Sequence, residues 1–205
     1  MDKAGSLACV GIGMTLGAHI SPRSRSHVEQ ADVVFAAVSD PLVELWLQQM
    51  NPDVRSLQPL YAEGKSRHDT YREMVEAMLA PVRAGKTVCG VFYGHPGVFA
   101  QAPHEAIAQA REEGFSAVME PGISAEDCLY ADLGIDPGKT GCQHYEASQL
   151  MLYQRRLDPS FIAHVEAGGE GRRGRAPVLV QLEAAGPGSQ LLPERVGRDG
   201  VALAQ

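Results

Sequence analysis

The chain has 205 residues, 44% of them hydrophobic and 21% charged, which supports a buried core and excludes a collagen-like, coiled-coil-rod or mainly disordered protein. Its 18 basic and 25 acidic residues leave a formal charge of −7, and with no long Lys/Arg run this argues against duplex nucleic acid as a partner. No apolar run approaches the roughly 20 residues that span a bilayer, and the N-terminus lacks a signal-peptide layout, so neither membrane insertion nor export is expected.

Leu7 to Gly11 is a short apolar run closed by glycine, and Ser21-Pro22 supplies an N-cap followed by a first helical position. Val33 to Val38 reads as a second buried strand. Asp40-Pro41 then opens a helix predicted to be amphipathic through Leu42, Leu45 and Trp46. Tyr71, Met74, Val75, Met78, Leu79 and Val82 recur at helical spacing, with Ser66 as the N-cap and Gly85 as the stop. Thr87 to Tyr93 is strand-like, Pro103 to Glu113 helix-like and Ser116 to Met119 strand-like again. Strands separated by helices predict an α/β fold whose parallel sheet is helix-covered, over residues 1–147. Residues 158–205 hold 8 glycines and 4 prolines. Pro177 to Leu182 is the only strand-like run there, and Gly168 to Arg175 reads as a flexible basic loop, so 148–205 is expected to be a shortened, partly flexible segment.

The four cysteines (Cys9, Cys89, Cys128, Cys142) form no CxxC pair, and the seven histidines form no HxH or HExxH. Three of the cysteines read as small core residues in a reducing cytoplasm, and no protein-bound metal is expected. Gly11-Ile12-Gly13 with Gly17 misses the dinucleotide fingerprint by one residue, and the helix starts too late for it. Gly138-Lys139-Thr140 lacks the phosphate-loop spacing and sits in an Asp136-Pro137-Gly138 turn. Tyr93-Gly94-His95-Pro96-Gly97-Val98-Phe99 is a stronger candidate. It is a sharp loop at the carboxyl end of a strand, where open α/β sheets collect ligands. Glu120-Pro121-Gly122-Ile123-Ser124-Ala125-Glu126-Asp127 follows another strand, and Ser124 with Asp127 resembles a capping box, compatible with both helix initiation and ligand binding. Arg67 and Tyr71 lie one turn apart near a helix N-terminus, with Tyr61 upstream. The set suits an oxyanion and a proton acceptor, although Tyr71 equally serves the apolar stripe.

Three stretches, YGHPGVF (93–99), PGISAEDCLYADLGIDPG (121–138) and YEASQ (145–149), resemble the tetrapyrrole-methylase superfamily of S-adenosylmethionine-dependent methyltransferases. Within it, YAEGKSRHDTY (61–71) looks like the catalytic helix of the borosin peptide backbone α-N-methyltransferases, especially the stand-alone type acting on a separate precursor peptide. The resemblance implies a two-lobed homodimer using S-adenosylmethionine; the charge and hydropathy above give the expectation of no nucleic-acid and no membrane partner. It implies that Arg67, Tyr71, Tyr93 and Tyr61 are catalytic. Tyr93, His95, Gly97, Val98, Phe99, Ser124, Ala125 and Gln149 fall at its cofactor contacts.

The likeness fades after Arg155-Arg156-Leu157-Asp158-Pro159, where family members continue into a second lobe closing over the cofactor. A truncated or degenerate second lobe, and weak cofactor binding by this chain alone, are therefore expected. Three functional classes follow: a peptide N-methyltransferase, a small-molecule methylase acting on a tetrapyrrole, and a non-catalytic homologue.

Overall fold

Strand β1 (Ser6–Gly11) alternates its side chains between two layers, Leu7 and Cys9 on one and Ala8 and Val10 on the other. The split recurs in β2 (Val33–Ala37), with Val33 and Phe35 against Val34 and Ala36. It recurs again in β4 (Thr87–Phe92), with Val88 and Phe92 against Cys89 and Val91. A sheet apolar on both faces needs cover on both. Helices α3 (Arg67–Arg83) and α4 (Gln101–Glu112) cover the first face with Met74, Met78, Leu79, Val82, Ala106 and Ala110. Helices α1 (Pro22–Gln30) and α2 (Pro41–Gln48) cover the second with Val28 and Leu47.

This computed structural model describes residues 4–146 and the strands 162–166, 178–181 and 201–203. The chain forms two compact units, Met1–Ala125 and Glu126–Gln205. In the first, with β3 (Val54–Ser56) and β5 (Ser116–Glu120), five strands run in the order β3-β2-β4-β1-β5, every pair parallel. All five carboxyl ends therefore share one edge, and each crossover helix starts from that edge. The N-caps match the sequence reading: Ser21 Oγ accepts from the Ser24 amide and Ser66 Oγ from the Asp69 amide, at 3.0 and 3.1 Å. Buried Asn51 ties α1 to the β3 approach. Its Nδ2 donates to the carbonyls of Val28 (2.9 Å) and Ala31 (2.8 Å), and its Oδ1 accepts from the Asp53 amide.

The second unit contains β6 (Cys142–Glu146), β7 (Ile162–Glu166), β8 (Val178–Gln181) and β9 (Val201–Leu203) in that spatial order. β7 pairs parallel to β6 and antiparallel to β8, and β9 pairs parallel to β8. Because β6 pairs with β7, residues 126–146 group with the second unit, whereas the sequence reading set its boundary after residue 147. α5 (Ala125–Leu133) starts at that boundary, and α6 (Pro137–Thr140) is a single turn capped by Asp136, in keeping with a turn there.

Three expectations change. The strands at 162–166 and 201–203 add to the one expected around 178–181. Their few residues sit in glycine- and proline-rich sequence with little periodicity to read. The predicted apolar face of α2 is also different: Leu42 and Leu45 are exposed, and Leu47 is the helix's buried residue, because the helix seats itself through Val43, Trp46 and Leu47. Of the cysteines, only Cys9 and Cys89 are fully buried, so two rather than three are core residues among the four. The expected basic loop at 168–175 lies outside the described residues. No helix among the described residues is long and apolar enough to cross a membrane.

Candidate functional site

The ends of β1, β4 and β5 meet without side chains between them. Gly94 exchanges backbone hydrogen bonds with Gly13, each 3.1 Å, and the Ile12 amide donates to the Phe92 carbonyl. A Cβ added to Gly11 would fall 2.3 Å from the Gly94 carbonyl oxygen, and one added to Gly122 would fall 2.3 Å from the same atom and 2.8 Å from Gly11 Cα. This three-glycine contact fixes the 93–99 loop against the Gly122–Ser124 turn, since backbone approaching this closely leaves no room for a side chain.

The 93–99 loop is braced internally. His95 Nδ1 accepts from the Gly97 amide at 2.9 Å, and the Val98 amide donates to the His95 carbonyl. His104, on α4, bonds the Gly97 carbonyl at 2.9 Å through Nε2. Phe99 takes a left-handed φ of 50°, which costs a non-glycine residue on the order of 1 kcal/mol. The loop presents Tyr93, Val98 and Phe99 to solvent, and Ile123 is exposed beside Gly94. Such an apolar, aromatic rim on an ordered backbone turn is suited to a small organic ligand. Ser124 is buried immediately before the first residue of α5, and Ala125 opens that helix.

Arg67 is the first residue of α3, so the parallel topology puts it on the sheet edge where β4 delivers Tyr93. Tyr71 is one turn further and packs against the core layer containing Phe92. Tyr61 sits beside both. Burial pushes its phenol up, the neighbouring Tyr71 adds to that, Arg67 pulls the other way, and a hydrogen bond with Tyr71 helps hold the proton on Tyr61. Tyr61, Arg67 and Tyr71 are thus one group, as their spacing suggested. Gln149 lies outside the described residues.

Sequence reading missed two supports. Glu120, buried at the end of β5, receives Arg23 Nε at 2.8 Å and lies 3.4 Å from His27 Nε2, both from α1. That clamp holds the residue leading into the Pro121-Gly122 turn, and His104 does the same for Gly97. The clamp joins segments more than ninety residues apart, and the His104 bond joins the loop to the helix that follows it, a contact between two elements that the periodicity of neither one marks.

Residues 6–171 match the family of tetrapyrrole (corrin/porphyrin) methylases. A methyltransferase/ribosomally synthesized type I borosin cyclic peptide precursor of Coprinopsis marcescibilis is 52% identical over 158 residues, 77% of this chain and 40% of that protein. The corresponding protein of Mycena rosella is 47% identical over 161 residues, 78% of this chain and 41% of its own. The chain thus spans about two fifths of the length of these relatives. Among solved structures, the uroporphyrin-III-C-methyltransferase from Thermus thermophilus shares the fold with a TM-score of 0.57 at 18% identity, over 79% of this chain and 68% of that one. With the family match extending over most of its length, the chain belongs to the tetrapyrrole methylases.

Proposed function

We propose that the protein is an S-adenosylmethionine-dependent methyltransferase that methylates backbone amide nitrogens of a precursor peptide supplied in trans. In this reading it works as a homodimer in the cytoplasm. The observation that carries the proposal is the Tyr61–Arg67–Tyr71 group at the carboxyl edge of the sheet, in a chain of which 158 residues are 52% identical to part of a methyltransferase/borosin precursor.

The glycine contact and exposed rim fit this cofactor: Gly11, Gly94 and Gly122 keep the strand ends bare, and Tyr93, Val98 and Phe99 offer apolar surface. Tyr93, His95, Gly97, Val98, Phe99, Ser124 and Ala125 would hold it, with Gln149 as a further contact. When bound, it supplies an electrophilic methyl group on a sulfonium. The chain's own residues must do the rest. An amide nitrogen is a poor nucleophile because its lone pair is delocalised into the carbonyl. Arg67, at the positive end of α3, stabilises negative charge on the amide oxygen as the N–H is removed. The phenol pair carries the proton away: Tyr71 or Tyr61 takes it, directly or through water, as a phenolate or while passing its own hydroxyl proton on to solvent. The hydrogen bond between Tyr61 and Tyr71 links the two phenols, so that a proton taken by one can be relayed through the other. Tyr93 orients the amide for in-line displacement.

The test is transfer of labelled methyl to an apolar peptide or to a uroporphyrin-type ring, with Arg67→Ala assayed in parallel. Label on the peptide, and a loss of at least a hundredfold in Arg67→Ala with cofactor affinity retained, supports the proposal. Label on the ring alone identifies a small-molecule methylase. No label on either, from a folded protein, identifies a non-catalytic homologue. Unchanged turnover in Arg67→Ala removes Arg67 from the chemistry.

A further inference from the structure

The second unit assembles a donor set that the chain's local spacing concealed. Cys142 and His144 are two residues apart on β6 and so project to one face. Glu126 and Tyr130 are four apart on α5 and share a helix face. The two elements meet there. His144 Nδ1 lies 2.9 Å from Glu126 Oε2, Tyr130 Oη lies 3.0 Å from Cys142 Sγ, and the Tyr130 hydroxyl also bonds Glu126. One donor atom each from Glu126, Cys142 and His144 falls within 4.8 Å of the others. In the β6–β7 register His144 stands opposite His164, a second histidine position on the neighbouring strand.

We propose that Glu126, Cys142 and His144 form a binding site for a divalent transition-metal ion, with zinc the best match. A thiolate, an imidazole and a carboxylate make a mixed soft and borderline set, which favours zinc over magnesium or calcium. Ligand bonds of about 2.0–2.3 Å put tetrahedral donors about 3.3–3.8 Å apart, so this set closes on an ion with shifts of roughly 1 Å. On binding, the Cys142 thiol proton leaves to solvent, and water completes the fourth position. The ion would join the start of α5 to β6. The absence of CxxC and HExxH spacing bears only on sites built from one segment, and this one draws on two. Nothing in the proposal depends on the methyltransferase reading.

The full chain is titrated with cobalt(II) and then with zinc. The expected result is one equivalent of cobalt with an intense thiolate-to-cobalt charge-transfer band and tetrahedral visible bands, displaced by zinc. Cys142→Ser abolishes the charge-transfer band, Cys128→Ser leaves it, and His144→Ala, altering an exposed side chain, weakens binding by tenfold or more. Far-UV circular dichroism checks that each variant is folded. Absence of stoichiometric binding, a band that survives in Cys142→Ser, or affinity unchanged in His144→Ala would overturn the site.

Discussion

Gly122→Ala probes the junction on which the candidate site is built. Its new methyl group would lie 2.3 Å from the Gly94 carbonyl oxygen and 2.8 Å from Gly11 Cα. Both obstacles are backbone, so no rotamer change relieves the clash. Reaching an ordinary contact of 3.4 Å requires the Gly122 turn and the 93–99 loop to part by about 1 Å. Overpacking of this kind costs about 1–3 kcal/mol, a drop of several degrees in Tm for a chain of this size. The functional effect should exceed the stability effect, because a 1 Å misplacement of positioning groups costs on the order of a hundredfold. The assay pairs thermal melting with calorimetric titration of S-adenosylhomocysteine. Gly114→Ala is the control. It sits between α4 and β5 at the opposite edge with φ +84° and no atom within 4 Å of the added Cβ, so it should cost about 1 kcal/mol and leave ligand affinity unchanged. A folded Gly122→Ala protein that binds the ligand within twofold of the parent would refute the idea that these two loops together seat the cofactor.

Asn51→Leu removes two donors and one acceptor from a buried position and should destabilise the first unit by about 2–4 kcal/mol, read from the urea midpoint; a change below 0.5 kcal/mol would mean that water replaces those bonds. Burial pushes the Cys9 thiol from 9.0 up to about 12. The unfolded thiol ionises first, so between pH 9 and 12 the native state binds more protons and stability falls as pH rises, by about 1 kcal/mol per unit. Burial pushes the Cys89 thiol up as well, so Cys9→Ala should shallow that alkaline slope in denaturation curves without abolishing it. Met78→Ala, at a fully buried site between α3 and the sheet, should cost about 2–5 kcal/mol, while the exposed Leu42→Ala on α2 should change the denaturation midpoint little.

The sheet and its covering helices were legible because β1, β2 and β4 are short buried apolar runs and the helices carry caps and periodicity that act locally. Ser21, Asp40 and Ser66 all accept an amide hydrogen bond in the first turn of the helix they precede. β3 was not legible: three residues are too few for a pattern, and its partner β2 supplies the pairing. Tyr61, Arg67 and Tyr71 could be grouped because one helical turn and its lead-in bring them together. The glycine contact, the Arg23–Glu120 clamp and the Glu126–Cys142–His144 cluster depend on chain crossings that only the folded topology supplies. On α2 the apolar residues outnumber the positions the sheet can cover, so composition marked the helix but not its buried side.

Fragment-ion mass spectrometry of an apolar precursor peptide, incubated with the protein and S-adenosylmethionine, tests the central claim most directly. The account predicts one or more added methyl groups located on backbone nitrogens, with the modification lost in Arg67→Ala. Methyl groups found only on side chains, or an Arg67→Ala protein that still modifies the backbone at the parent rate, would contradict it.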